Sequence, residues 1–301
     1  MSRIRRASVA AVVIVMATAV EGQQAGPLQQ GFAKQLEARL AAIAERLDGV
    51  LGYAVVDLTS KSRVASRLAD QPFPTASTIK LSIVYELLKK ADEQTLVLDK
   101  PTLVEKSQMT GGSGVLQHLS APMLSLIDHA ALMMILSDNT STNVVIDAVG
   151  MADVTRRMKT LGLGDIQLRR KMMDADAVRR GDENVASPAS LARIAEIMWR
   201  GDGLRPESRD AARRILYQVG GQIRGAIPSR VRVASKTGSL DGVRAEAAVV
   251  ELDGRPFALA AMTTYLRNDA DGERAIRDVA DAVFSYFDRL ATGGAYGRRS
   301  P

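Results

Sequence analysis

The sequence predicts an α/β (α+β) chain: one antiparallel sheet built from both chain ends, flanked by helices, with an all-helical subdomain inserted between the two halves. Three observations carry this. Strand-like runs lie near the two ends, at residues 52–68 and 231–266. Helical periodicity dominates from about 96 to 216. Amphipathic helical patterns precede the first strands and follow the last. With 301 residues, 46 % hydrophobic and 25 % charged, the composition is that of a globular protein with a substantial core.

The first residues read "MSRIRRASVAAVVIVMATAVEGQQAG". Arg3, Arg5 and Arg6 precede an apolar run from Ala7 to Val20, and Ala17-Thr18-Ala19 is a small-x-small cleavage pattern. Residues 1–19 are therefore expected to be an export signal, with an uncleaved anchor as the alternative. The run is short for a membrane span, so no stable membrane insertion is expected after cleavage. The mature protein is expected to be periplasmic or secreted. Residues 20–31, rich in Gln and Gly, are expected to be disordered. The chain has no cysteine, which removes disulfides, thiolate metal sites and lipid attachment at the cleavage site.

Net charge is +6 from 40 basic and 34 acidic residues, and loss of the three arginines in 1–19 would leave +3. The basic clusters Arg169-Arg170-Lys171 and Arg179-Arg180 lack interleaved aromatics, so a solvated surface is expected and no nucleic-acid partner. No metal or other cofactor is expected, and a monomer is.

A domain over 32–290 is expected, followed by a tail at 291–301. It opens with an amphipathic helix, "FAKQLEARLAAIAERL" from Phe32. "GYAVVDLTSKSRVASRL" from Gly52 reads as two strands around a Thr-Ser-Lys-Ser turn. "PTASTIKLSIVYELLKK" from Pro74 passes from extended chain into a helix with apolar positions at Ile79, Ile83, Val84, Leu87 and Leu88. Further helices follow in "MLSLIDHAALMMIL", "STNVVIDAVG", "VTRRMKTLG" and "SPASLARIAEIMWRG". Pro188 after Ser187 is a helix-start signal. Residues 169–187 form a long polar connection, a kind of segment that is often functional. The glycine-rich "MTGGSG" at Met109 lacks the residues of a phosphate loop and reads as a flexible loop. "VRVASKTGS", "RAEAAVVEL" and "RPFALAAMTTYL" are strands, the last two joined by an Asp-Gly turn. "DGERAIRDVADAVFSYFDRLA" is the closing helix.

Ser77 and Lys80 stand three apart where the first long helix begins, which puts a hydroxyl and an amine on one face. Alone this is a weak signal, since about one such pair is expected by chance in a chain of this length. Ser137-Asp138-Asn139 between two helical stretches and Lys236-Thr237-Gly238 at a strand end change the weighing. Each tripeptide should occur by chance in only about one chain in twenty. A serine hydroxyl needs a base. His118 falls in a loop and His129 in mid-helix, neither in a triad-like context. A buried lysine beside a second cation loses proton affinity and can serve instead, so Lys80 near Lys236 is the candidate base. A helix start also favours negative charge developing at Ser77.

The ordered set Ser-x-x-Lys, Ser-Asp-Asn and Lys-Thr-Gly, with Phe73-Pro74 ahead of the serine and a helical insert, resembles the class A β-lactamases and penicillin-binding proteins over about residues 32–290. The Ser-Asp-Asn form favours the class A side. The resemblance implies the β-lactamase/transpeptidase-like fold and acylation at Ser77. It implies an oxyanion hole from the N–H groups of Ser77 and Ser239. Ser137 would relay a proton to the leaving nitrogen, and Asn139 would bind Lys80 and a substrate amide. Lys236 and Thr237, with Gly238, would bind the substrate carboxylate, and Arg244 would be a second carboxylate contact.

The long connection departs from the family. Class A enzymes carry Glu-x-x-Leu-Asn there, the glutamate activating the deacylating water. Here the loop reads "LRRKMMDADAVRRGDENVASP", and the glutamate's place falls near Lys171 or Met172. Asp174 and Asp176 are the nearest acids, and Asp174 is the candidate substitute or else pairs with Arg170 or Arg179. Arg170 matches the family's loop-anchoring arginine, but Asn184 stands for its aspartate partner, with Asp182 and Glu183 nearby.

The first expectation is therefore an exported serine β-lactam hydrolase, converting a β-lactam and water to a substituted β-amino acid, with slow deacylation. A D-alanyl-D-alanine peptidase or esterase of the same fold is the alternative. A non-catalytic binder of cell-wall peptide is a third reading, disfavoured because a binder has no need of both lysines. The partner is expected to be a small molecule, a β-lactam or a cell-wall peptide.

Overall fold

The computed structural model describes residues 27–294 and 297–298. The expected export signal and residues 20–26 lie outside them. Helix α1 (Pro27–Arg46) leads to hairpin strands β1 (Val50–Asp57) and β2 (Ser62–Arg67). A short strand β3 (Phe73–Pro74) and a 3-10 turn at Ala76–Ile79 precede α2 (Lys80–Asp92). The insert then holds β4 (Thr102–Leu103), β5 (Met123–Leu124), α3 (Leu126–Ile135), α4 (Asn139–Val149), α5 (Met151–Thr160), α6 (Ala175–Arg179), β6 (Val185–Ala186), α7 (Pro188–Arg200) and α8 (Pro206–Leu216). Helix α9 (Gln222–Ala226), strands β7 (Arg232–Leu240), β8 (Val243–Glu251) and β9 (Phe257–Thr264), and α10 (Asp269–Thr292) complete it.

The five-stranded sheet has the order β2-β1-β9-β8-β7, antiparallel throughout. Strand β1 from one chain end pairs with β9 from the other along its whole length, Val50 opposite Thr264 and Asp57 opposite Phe257. This is the sheet expected from both ends.

Successive side chains on a strand face opposite ways, and both faces are covered here. Val55, Leu259, Val250 and Val233 meet Leu36 and Leu40 of α1 and Val279 and Val283 of α10. Ala54, Ala260, Ala247 and Ala234 meet Ile83 and Leu87 of α2 and Leu191 and Ile194 of α7. The second face is rich in alanine, so helices bearing large side chains can sit close to it. Strand β7 is left at the edge, with one row of backbone groups free of the sheet.

Caps follow the sequence signals. Ser187 accepts from Ser190 N–H with Pro188 in the first turn of α7, and Asp138 accepts from Ser141 N–H at the start of α4. Four details differ from expectation. Residues 27–31, expected to be disordered, belong to α1, whose helical pattern extends upstream to a proline that a first turn tolerates. Helix α10 continues to Thr292, past the expected domain end at 290. The long connection contains α6 and β6, and the insert contains the two-residue β4–β5 ladder. Among the described residues no helix is long and apolar enough to cross a membrane.

Candidate active site

Three segments converge at the edge strand β7. Ser77 lies in the 3-10 turn before α2 and stays partly accessible, while Lys80, the first residue of α2, is 0 % exposed. Gly238 of β7 faces this turn. A Cβ placed there would meet Thr75 O at 2.7 Å, Ser77 N at 2.8 Å and Thr78 N at 2.9 Å, so only glycine lets the strand approach the serine turn so closely. Thr237 O accepts from Lys236 Nζ at 2.9 Å. Ser239 follows Gly238 on the same edge strand, opposite Arg244 of β8.

Lys80 Nζ donates to Ser137 O at 2.8 Å, Ser137 Oγ at 3.1 Å and Asn139 Oδ1 at 3.2 Å. Lys236 Nζ donates to the same Ser137 Oγ at 3.2 Å. Burial, and then the charge of Lys236, hold the Lys80 ammonium well below the usual lysine range, with Asp138 opposing. Burial also pushes Lys236 down, to about 8, against the pull of Glu246. Two ammonium groups on one oxygen in a dry site cannot both stay charged cheaply. Loss of one proton turns that lysine from donor into acceptor, able to receive a proton from a hydroxyl.

Two backbone outliers frame the site. Ala76, just before Ser77, has φ 46° and Ser137 has φ 55°, both in the left-handed region that costs non-glycine residues about 1–2 kcal/mol. Ser137 is held there by the residues after it. Asp138 accepts from the N–H groups of Ser141 at 2.8 Å, Val115 at 2.7 Å and Leu116 at 2.9 Å. Asn139 donates from Nδ2 to Gly111 O at 3.0 Å and from its backbone to Ser113 O at 3.0 Å. The glycine-rich stretch read as a flexible loop is thus strapped across the Ser137 turn. Its glycines are the signal for this contact: a Cβ at Gly114 would run into the Asp138 carboxylate.

The long connection is fastened to the same turn. Thr75 N donates to Asn184 O at 2.9 Å, and β3 pairs with β6 immediately before it. Arg170 Nη2 donates to both carboxylate oxygens of Glu183, at 2.8 and 3.0 Å. Asn184 Oδ1 accepts from the backbone of Arg169 at 2.8 Å and Arg170 at 3.1 Å. The anchoring left open by the missing aspartate is therefore present, with Glu183 supplying the charge and Asn184 clamping the backbone.

Of the two positions counted for the family's glutamate, Lys171 pairs with Asp147 and Met172 is buried, its N–H donating to Asn143 Oδ1 at 2.8 Å and its C=O accepting from Asn143 Nδ2 at 3.2 Å. A thioether cannot take a proton from water. Asp174 caps α6, Oδ1 accepting from Ala177 N–H at 2.9 Å, and pairs with neither Arg170 nor Arg179. Asp176 is exposed beside Arg179. Arg244 turns to α10, its Nη2 on Asp269 at 2.9 Å and its Nε on Glu273 at 3.0 Å. His129 is packed, with Nδ1 and Ser141 Oγ 3.1 Å apart and its pKa lowered by burial. Among the described residues no group of three or more His, Asp or Glu side chains is placed to hold a metal ion.

The family described as the β-lactamase enzyme family matches residues 35–287. A β-lactamase of Citrobacter koseri is 28 % identical over 261 residues, covering 84 % of this chain and 88 % of that one. The crystal structure of a β-lactamase from Sphaerobacter thermophilus superposes with a TM-score of 0.79 at 29 % identity, over 85 % of this chain and 97 % of that one. A variant of PBP-A, solved as an acyl-enzyme complex with penicillin G, gives a TM-score of 0.78 at 26 % identity, over 87 % of this chain and 97 % of that one.

Proposed function

From the premise that the chain belongs to the β-lactamase enzyme family, we propose that it is an exported serine β-lactam hydrolase that is acylated readily at Ser77 and releases the acyl group slowly. The observation that carries this is the shared Ser137 oxygen between two buried lysines, one turn of helix from an accessible serine.

In the proposed sequence Lys80, in its neutral form, takes the Ser77 proton as Oγ attacks the β-lactam carbonyl. The carbonyl oxygen collects negative charge and is met by the N–H groups of Ser77 and Ser239. The C–N bond breaks, and Ser137 Oγ passes a proton to the departing nitrogen. Lys236, still charged, and Thr237 receive the substrate carboxylate beside Gly238, and Asn139 takes a substrate amide. Arg244 is not part of this carboxylate site, because Asp269 and Glu273 already hold its guanidinium.

Deacylation requires a base that takes a proton from water. With Lys171 or Met172 in the glutamate's place, that base is weak or displaced, and Asp174 is the remaining candidate in the loop. The same feature favours a second reading, a penicillin-binding peptidase or esterase of this fold. The capture of a PBP-A variant as a penicillin G acyl-enzyme, in a protein of similar structure, supports it.

Intact-protein mass spectrometry after mixing with benzylpenicillin tests the proposal. The expected result is a single covalent adduct that forms quickly, decays slowly and is absent in Ser77→Ala. An adduct that persists in Ser77→Ala would show another nucleophile.

A further inference from the structure

The long connection and the glycine strap meet beside Asn139, and the side chain that joins them is Met173. It is 60 % exposed and has φ 61°, a backbone conformation that is costly for a residue with a side chain. An exposed apolar side chain is ordinary by itself. One held out by a strained backbone against a binding residue is not. The strain is fixed from both sides: Asn143 holds the N–H and C=O of Met172, and Asp174 caps α6.

From this position the thioether reaches the strap. A Cβ built on Gly112 would stand 3.2 Å from Met173 Sδ and 2.8 Å from Asn139 Nδ2. Gly112 also has φ 88°, so a side chain at that position is excluded on two counts. The strap therefore passes over the Asn139 amide as bare backbone. The side-chain surface next to that amide comes from the opposite loop, as Met173.

We propose that Met173 is a specificity-determining residue, its thioether forming the apolar wall against which the acyl substituent of the substrate lies. This deepens the proposed function and rests on it, because Asn139 is there the group that takes a substrate amide. An amide held at Asn139 has its acyl substituent next to Met173 Sδ and the Gly112 backbone. A polarisable, unbranched side chain suits a flat apolar group, and sulfur packs well at the edge of an aromatic ring. Sulfur is only a weak acceptor, so a charged substituent would lose water there and gain no partner. The charges on either side of Met173 in the chain are committed, Lys171 to Asp147 and Asp174 to the Ala177 N–H. The favoured substrate class is thus an amide-linked aryl or alkyl acyl group.

Two probes test this: benzylpenicillin, which carries a phenylacetyl group, and 6-aminopenicillanic acid, which has the same rings and carboxylate and no acyl group. Adduct formation followed by intact-protein mass across probe concentration separates the half-saturating concentration from the limiting acylation rate. Met173→Ala should raise the half-saturating concentration for benzylpenicillin by about two- to tenfold and leave its limiting rate unchanged. Acylation by 6-aminopenicillanic acid should not change. Met173→Leu should keep most of the affinity, whereas Met173→Gln, which keeps the length and loses the apolar character, should behave as Met173→Ala. Unchanged or tighter benzylpenicillin binding in the Ala and Gln variants would overturn the inference, and so would an equal loss with both probes, which would make Met173 a support of the loop only. An unaltered protein that forms no adduct with either probe would refute the acylation reading itself, a result distinct from adducts that form with both probes and ignore Met173.

Discussion

Lys80 and Lys236 point their ammonium groups at one atom, Ser137 Oγ, from 3.1 and 3.2 Å. They reach it from different parts of the chain, Lys80 from the start of the first long inner helix and Lys236 from the edge strand. Each is nearly or fully buried. Burial, and then the charge of Lys236, make Lys80 available as a base.

Acylation should therefore depend on a lysine that can lose its proton. Lys80→Arg is expected to be nearly as damaging as Lys80→Ala, since a guanidinium keeps its charge. Loss of a positioned base costs about 10²–10⁴-fold. The sign of the pH dependence follows from the same lowered affinity: the neutral, active form of Lys80 grows as pH rises, until Lys236 is discharged near 8. Acylation rates of both variants across pH check this. An arginine variant that keeps most of its rate would reduce Lys80 to a fixed charge.

The Arg170–Glu183 pair should be what holds the long connection. Glu183→Ala leaves a nearly buried guanidinium without its carboxylate and is expected to cost about 1–3 kcal/mol. Because Asn184 links this segment to Thr75, the deacylation rate should fall as well. Thermal unfolding and single-turnover kinetics together check it. A variant with lowered stability and unchanged turnover would show that the anchor is structural only.

Much of this site was legible because its chemistry is packed into short motifs. Ser77-x-x-Lys80, Ser137-Asp138-Asn139 and Lys236-Thr237-Gly238 are each local, and the strand-like runs "RAEAAVVEL" and "RPFALAAMTTYL" marked the sheet. Glu246 was not legible. A lone charged residue in a strand-like run carries no local sign of burial, and the strand order and α9 bury it. The sequence leaves the anchoring of the loop open, since Asn184 stands for an aspartate with Asp182 and Glu183 nearby; the charge comes from Glu183. Strapping of Gly111 and Ser113 over Asn139 is a long-range contact that glycine content hints at without naming the partner.

The base for water should be separable from the base for serine. Met172→Glu places a carboxylate on a backbone already fixed through Asn143, and the steady-state rate should rise by at least about tenfold with some loss of stability from burying the acid. Asp174→Asn keeps a competent cap for α6 and removes only the charge, so it should slow the steady phase and leave acylation alone. Steady-state turnover beside single-turnover acylation checks both. No gain in Met172→Glu would mean that the water site lies elsewhere.

The most direct measurement is a pre-steady-state trace of β-lactam opening by the unaltered protein. The proposed acylation draws its nucleophile, base and proton relay from Ser77, Lys80 and Ser137, whereas the loop offers no carboxylate at Lys171 or Met172. The expected trace is a burst of about one equivalent of product per enzyme, followed by a slow steady phase. A linear trace with no burst, at the rate of an efficient hydrolase, would contradict this and require a water-activating base other than those considered.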